Sequence, residues 1–142
     1  MRYLLDTNII SNFTKVAPSQ SLIEWMANQS DEELFIASLT VAEIRRGVLE
    51  KPAGKRRNQL DEWFSGPQGP QALFAGRVLP FDETAALIWG RLMAEGKAKA
   101  RPRSGLDTII AAIAEANACT VVTDNERDFE DIDILNPIRG AI

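Results

Sequence analysis

Four carboxylates sit where this chain passes from apolar to polar. Asp6 closes the run Tyr3-Leu4-Leu5, Glu43 follows "FIASLT", Asp107 opens "DTIIAAIAEA", and Asp124 follows "CTVVT". Histidine is absent from all 142 residues, and Cys119 is the only cysteine. Ser-His and Cys-His triads, imidazole bases and imidazole-based zinc sites are therefore excluded, so any catalysis must rest mainly on carboxylates. Two such charges about 4 Å apart repel by roughly 4 kcal/mol at an effective dielectric of ~20, so a cluster of them needs protonation or a cation. Oxygen ligands without thiolate or imidazole suit Mg²⁺ or Mn²⁺, and Mg²⁺ in particular shares its shell with substrate phosphate oxygens. The chemistry this predicts is metal-assisted hydrolysis of a phosphate ester by in-line attack of water.

The elements that must position these acids follow from the hydrophobic pattern. "RYLL", "LFIASL" and "CTVVT" are short apolar runs with polar borders, as buried parallel strands would be, and "DIDIL" is a candidate fourth. Between them lie helical spacings: Leu106, Ile109, Ile110 and Ile113 form one stripe, and Leu87, Ile88 and Leu92 another. "SGPQGPQ" reads as a loop between two helical segments. This alternation predicts an α/β fold of three layers, α/β/α, with a central, mainly parallel sheet, in a single domain over residues 1–142. In open sheets of this kind ligands bind outside the carboxyl ends of the strands, where all four acids could converge.

Each acid also has a purely structural reading. Thr40-Val-Ala-Glu43 matches a capping box at a helix start, and taken alone Glu43 reads as a cap. Ser104-Gly-Leu-Asp107 has similar spacing, and an aspartate in a first helical turn is favoured by the dipole. Asp124-Asn125 resembles a turn, and Asp6-Thr7-Asn8 a helix cap. It is the combination of the four that points to a site.

Composition sets the remaining bounds. At 45% hydrophobic and 25% charged the chain can bury an ordinary core. No apolar run reaches the ~20 residues of a membrane span, and the start lacks the layout of a secretion signal, so a cytoplasmic protein with no membrane contact is expected. Cys119 reads as a small buried side chain in a reducing compartment. The net charge of −4 argues weakly against a polyanionic partner, yet basic residues gather in "RRGVLEKPAGKRR" and "KAKARPR".

"LLDTNIIS", "SLTVAEIRRG", "LDTIIAAIAEANACTVVTDNERDF" and "LNP", in that order and spacing, resemble the PIN domain, especially the VapC and FitB-type toxins of type II toxin–antitoxin pairs. The likeness runs almost end to end. It implies a metal-dependent (Mg²⁺ or Mn²⁺) endoribonuclease in which Asp6, Glu43 and Asp107 match the first three metal-binding acids. For the fourth, FitB-like members favour Asp124, and other VapC-like proteins favour Asp128, the acid before the phenylalanine; Asp124 ranks first. Asn8, Thr7 and Asn125 could orient the carboxylates, capping and turn formation being equally good accounts. Arg45 and Arg46, close to Glu43, are candidates for holding RNA phosphates or an acidic antitoxin segment.

The same resemblance implies a homodimer and a cognate VapB/FitA-like antitoxin that obstructs the site and carries the only DNA contact. Trp25, Trp63, Trp89, Phe64 and Phe74 could form a dimer or antitoxin surface, with core packing as the alternative for each. Other readings stay open: an RNA-processing nuclease that is not a toxin, an inactive binding module on the same scaffold, or a phosphoacceptor of another α/β fold. Against the last, "LLDTN" has one acid and no lysine lies close to Asp124.

Overall fold

The computed structural model describes residues 1–138. Its centre is a five-stranded, fully parallel sheet of β1 (Tyr3–Leu5), β2 (Leu34–Ala37), β3 (Val78–Leu79), β4 (Thr120–Val122) and β5 (Ile134–Leu135), in the order β3-β2-β1-β4-β5. The α/β/α expectation is met, and the sheet gains β3, which the hydrophobic pattern does not reveal. Two residues, Val78 and Leu79, are too short a run to register as a strand without the partner Ile36-Ala37 that pairs with them.

Side chains alternate across the sheet and divide the core in two. Leu4 and Val121 pack with Ala85 and Leu92 of α6 (Glu83–Ala98) and with Ile110 and Ile113 of α7 (Gly105–Ala116). Leu5, Ile36 and Val122 face the other way, onto a layer built from α1 (Thr7–Asn12), α2 (Gln20–Ala27), α3 (Ser38–Glu50) and α4 (Lys55–Ser65). Their partners there include Ile9, Leu22, Ile44 and Phe64. "SGPQGPQ" is a loop only as far as Gly69; Pro70 then opens the short helix α5 (Pro70–Leu73), as a proline at the first helical position can.

Three expectations change. Leu106 is 48% exposed in the first turn of α7, and Leu87 is 73% exposed on α6. The buried stripe of α6 runs through Ala85, Leu92 and Gly96 with Ile88 packed beside it, so Ile88 and Leu92 face the core as expected and Leu87 does not. Among the aromatics, Phe64 and Phe74 are core residues, and Phe74 together with Trp63 also lines an apolar concavity. Trp25 meets Tyr3 edge-on at 5.0 Å, and the Trp89 indole N–H donates to the Gly105 carbonyl at 3.0 Å, so both are engaged internally.

The connection from α6 to α7 is tightly built. Beyond the helix end at Lys99, the Ala100 N–H donates to the Lys97 carbonyl at 3.1 Å and the Arg101 N–H to the Gly96 carbonyl at 2.8 Å. These are the two bonds of a Schellman motif, and Ala100 holds its left-handed position at φ 56°. A Cβ on Gly96 would lie 2.9 Å from the Arg101 carbonyl oxygen, so only glycine allows the loop this close to α6. Alanine is the wrong residue at φ 56°. Ala100→Gly should stabilise the protein by about 0.5–1 kcal/mol in urea unfolding, an unusual gain from introducing glycine.

Candidate active site

β1 lies between β2 and β4, and the chain runs from β1 to β2 on one side before returning through α7 to β4 on the other. The crevice outside β1 and β4 is therefore the topological switch point of the sheet. Parallel register sets Leu5 beside Val122, and the last ladder bond runs from the Asp6 N–H to the Val122 carbonyl at 2.9 Å. Asp6 thus leaves β1 next to Thr123. It is only 4% exposed and caps α1, its Oδ1 accepting the Thr7 N–H at 2.8 Å.

Oδ2 of Asp6 is held from two sides. The Thr123 hydroxyl donates to it at 2.9 Å and the Asn8 amide at 3.2 Å. Thr123 Oγ1 also accepts from the Asn8 amide at 3.2 Å and from the Asn125 N–H at 3.0 Å, so its single proton belongs to Asp6. Asn8 Oδ1 in turn accepts the Asp124 N–H at 3.3 Å, tying the loop after β4 to α1.

Glu43 reaches the same crevice by a different route. The capping box expected at Thr40 does not form: β2 runs straight into α3, the cap is Ala37, and Glu43 stands in the second turn. Thr40 is fully buried, and Glu43 Oε1 accepts the Thr7 hydroxyl at 2.7 Å. The strand ends earlier than "FIASLT" implied, which turns Glu43 from the cap position toward α1. Thr7 therefore orients Glu43 through its hydroxyl, and Asp6 only through its backbone N–H. The cap expected at Ser104 does form, its Oγ accepting the Asp107 N–H at 3.3 Å, and Asp107 lies in the first turn of α7. Asn125 donates to Asp128 at 2.7 Å.

Electrostatics ties the acids together. Burial pushes the Asp6 carboxyl up, the neighbouring Glu43 and Asp124 charges add to this, and the Thr123 and Thr7 hydrogen bonds oppose it. Asp107 is raised from 3.8 to about 6, first by burial, then by the charges of Asp6 and Asp128 and a hydrogen bond with Asp128, against the Ser104 bond. The charges of Glu43 and Asp124 thus act on Asp6, and those of Asp6 and Asp128 on Asp107, which links the five acids electrostatically across the carboxyl edge of the sheet. Among the described residues no three acidic or cysteine side chains are already gathered closely enough to hold a metal ion. The donor set nonetheless fits a hard divalent ion: all oxygen, over-rich in negative charge, and anchored at Asp6.

Other residues are more peripheral. Arg45 pairs with Asp61 at 2.6 Å and lies over the Phe64 ring at 5.2 Å, fastening α3 to α4. Arg46 pairs with Glu50 one turn along its own exposed surface. Lys51 and Arg56, by contrast, line a groove of about 290 Å³ that includes Glu43, Ser11 and Thr14. Cys119 is half-buried and not fully buried as expected, and that burial raises its thiol. Sequence pattern does not single out Thr123 and Thr40 as part of the site; the only signal for Thr123 is its place between a strand and an acid.

Comparison with known proteins extends this picture. The PIN domain family profile matches residues 3–135. The VapC ribonuclease Y4jK of Sinorhizobium fredii is 39% identical over 97% of this chain and 99% of its own length. The toxin FitB of Neisseria gonorrhoeae is 35% identical over 94% of this chain and 96% of its own. The structure of FitAB bound to an IR36 DNA fragment superposes with a TM-score of 0.87 at 35% identity, covering 96% of this chain and 95% of the other.

Two outcomes follow from the site. Thr123→Val should cost about 1–3 kcal/mol, because it strands the donors of Asn8 and Asn125 and a face of Asp6, while Thr123→Ser should keep most of the stability in the same urea titration. With Asp107 rising from 3.8 to about 6 on folding, the native state binds more protons than the unfolded one across that interval. Stability of chelator-treated protein should therefore fall as pH rises through this window, and Asp107→Asn should flatten the fall and raise Tm at pH ~7.

Proposed function

Because this chain belongs to the PIN domain family, in its VapC/FitB branch, we propose that it is a metal-dependent endoribonuclease and the toxin of a type II toxin–antitoxin pair. What supports the nuclease reading is the mutual influence of Asp6, Glu43, Asp107, Asp124 and Asp128, with Asp6 and Asp107 raised by burial and by their acidic neighbours. Such a cluster is unfavourable unless a cation offsets it.

In this reading Asp6, Glu43, Asp107 and Asp124 hold Mg²⁺ or Mn²⁺, with Asp128 as the further acid. Bound there, the ion would supply the charge that activates water and offsets developing charge at phosphorus and on the leaving oxygen. The chain's own groups do the rest. Thr123 and Asn8 fix the Asp6 carboxylate, Thr7 fixes Glu43, and Asn125 fixes Asp128, so that these three acids are oriented while a bound ion would still have to draw the set together. Lys51 and Arg56 in the groove beside Glu43 offer positive charge to an RNA strand, a better-placed pair than Arg45 and Arg46.

An antitoxin partner is supported by the likeness to FitB and to the FitAB complex, and by an apolar concavity of about 540 Å³. Ile10, Phe13, Ile23, Met26, Trp63 and Leu73 line it. We read the chain as a homodimer in the cytoplasm, contacting DNA only through the antitoxin. Among the described residues no helix is long and apolar enough to cross a membrane.

The decisive measurement is cleavage of total cellular RNA by antitoxin-free protein. Discrete fragments should appear with Mg²⁺ or Mn²⁺, vanish with EDTA, and fall by about 100-fold or more in Asp6→Asn, equivalent to roughly 3 kcal/mol of lost transition-state stabilisation. Cleavage that survives both controls would defeat the assignment. Mg²⁺ or Mn²⁺ should also raise Tm at pH ~7 in the parent protein and much less in Asp6→Asn, a binding readout independent of turnover.

A further inference from the structure

The run "KAKARPR" contributes nothing to the carboxylate cluster itself, yet the fold brings its end to the acidic crevice. A small open concavity of about 80 Å³ is lined by Arg101, Arg103, Ser104, Arg127, Asp128 and Glu130. Ser104 and Asp128 belong to both places, since Ser104 caps the helix carrying Asp107 and Asp128 acts on Asp107 through its charge and a hydrogen bond. We propose that this concavity binds a phosphodiester of the RNA strand adjacent to the one presented to the carboxylates, a reading that rests on the ribonuclease assignment.

Three features favour an anion. Arg103 Nε is buried without a hydrogen-bond partner while its Nη1 donates to the Glu130 carbonyl at 2.9 Å, so one guanidinium edge is fixed and another donor is unmet. Arg101 has only a loose pairing with Glu130 at 3.8 Å, with both side chains mostly exposed, an interaction worth little and easily exchanged for phosphate. Arg127 has no ion-pair partner among the described residues. Guanidinium groups match phosphate oxygens with paired donors, which suits three arginines round one small concavity.

The loop is also preset. The Schellman bonds from Ala100 and Arg101 and the close approach at Gly96, where a Cβ would lie 3.1 Å from Arg103 Cγ, hold Arg101 and Arg103 against α6. A site fixed before binding loses less entropy on engaging a flexible strand. The three guanidinium groups outnumber the Asp128 and Glu130 carboxylates around the concavity, and its place beside the acids proposed to act on RNA makes a neighbouring phosphodiester of the same strand its occupant.

The test is the salt dependence of binding of fluorescein-labelled, random-sequence single-stranded RNA to the full-length Asp6→Asn protein in Mg²⁺. Removing one arginine–phosphate pairing should reduce the slope of log K against log [salt] by about 0.7. Arg127→Ala and Arg103→Ala should each do so, Arg127→Lys should restore the slope, and Arg91→Ala should leave it unchanged, because Arg91 is paired with Glu95 and Glu115 toward the far end of α7. Arg103→Ala also removes a bond that fixes the loop, so Arg127→Ala, at an exposed residue, is the deciding variant. RNA bound with an unaltered slope in Arg127→Ala overturns the subsite and leaves the nuclease reading standing. Failure of the parent to bind RNA at low salt overturns both. If RNA binding is unaltered and an aspartate-rich peptide loses affinity instead, the concavity is a protein-binding surface and the proposal fails.

Discussion

The site depends on the parallel register of β1 against β4. With Leu5 beside Val122, the next residue on each strand is polar, and Asp6 and Thr123 meet at the one point of the sheet where the chain departs in opposite directions. A shift of one residue would turn Leu5 and Val122 from one core layer to the other and break the Asp6–Thr123 bond at once. The apolar pattern that buries Leu4, Leu5, Val121 and Val122 is therefore the same constraint that aims a carboxylate at the crevice. Stability and site geometry are not separable here.

Around that point the structure concentrates negative charge and uses polar groups to hold it. Thr123, Asn8, Thr7 and Asn125 each hydrogen-bond an acid, and each sits within two residues of one in sequence. Burial raises Asp6 and Asp107 while these bonds restrain the rise at Asp6. Basic groups stand off to either side, Lys51 and Arg56 beyond Glu43 and the three arginines beyond Asp128. An overall charge of −4 thus conceals a pattern that alternates along the crevice. Net charge alone is a poor guide to the partner.

Most of the architecture is legible in the sequence because buried parallel strands and amphipathic helices leave strong periodic marks. β1, β2, β4 and β5 are each visible as an apolar run, and Asp107 falls in a first helical turn as its spacing predicts. β3 is not visible, since two residues carry no period. Leu87 and Leu106 turn out exposed because a stripe gives the spacing of a face and not which neighbour covers it. Glu43 resembles a cap because Thr-x-x-Glu is a capping signal, but only if the helix begins at the threonine. That depends on where β2 ends, and a strand's end is set by its partners.

What the sequence by itself determined was the chemistry available and its approximate address. A chain without histidine and with one cysteine has carboxylates as its main means of acting on phosphate esters, and acids at strand ends and helix starts go to the carboxyl edge of a parallel sheet. What only the tertiary structure decided was which groups meet there. Thr123 became the hub of Asp6, Asn8 and Asn125, and both Asp124 and Asp128 act on the buried acids, the first on Asp6 and the second on Asp107, where the family resemblance ranked Asp124 first. The end of "KAKARPR" came to border it through a helix cap and a glycine that lets two backbones approach. These are encounters between residues up to 117 positions apart, and local pattern carries no information about them. They follow from which strands pair, in what register, and how closely two backbones can approach.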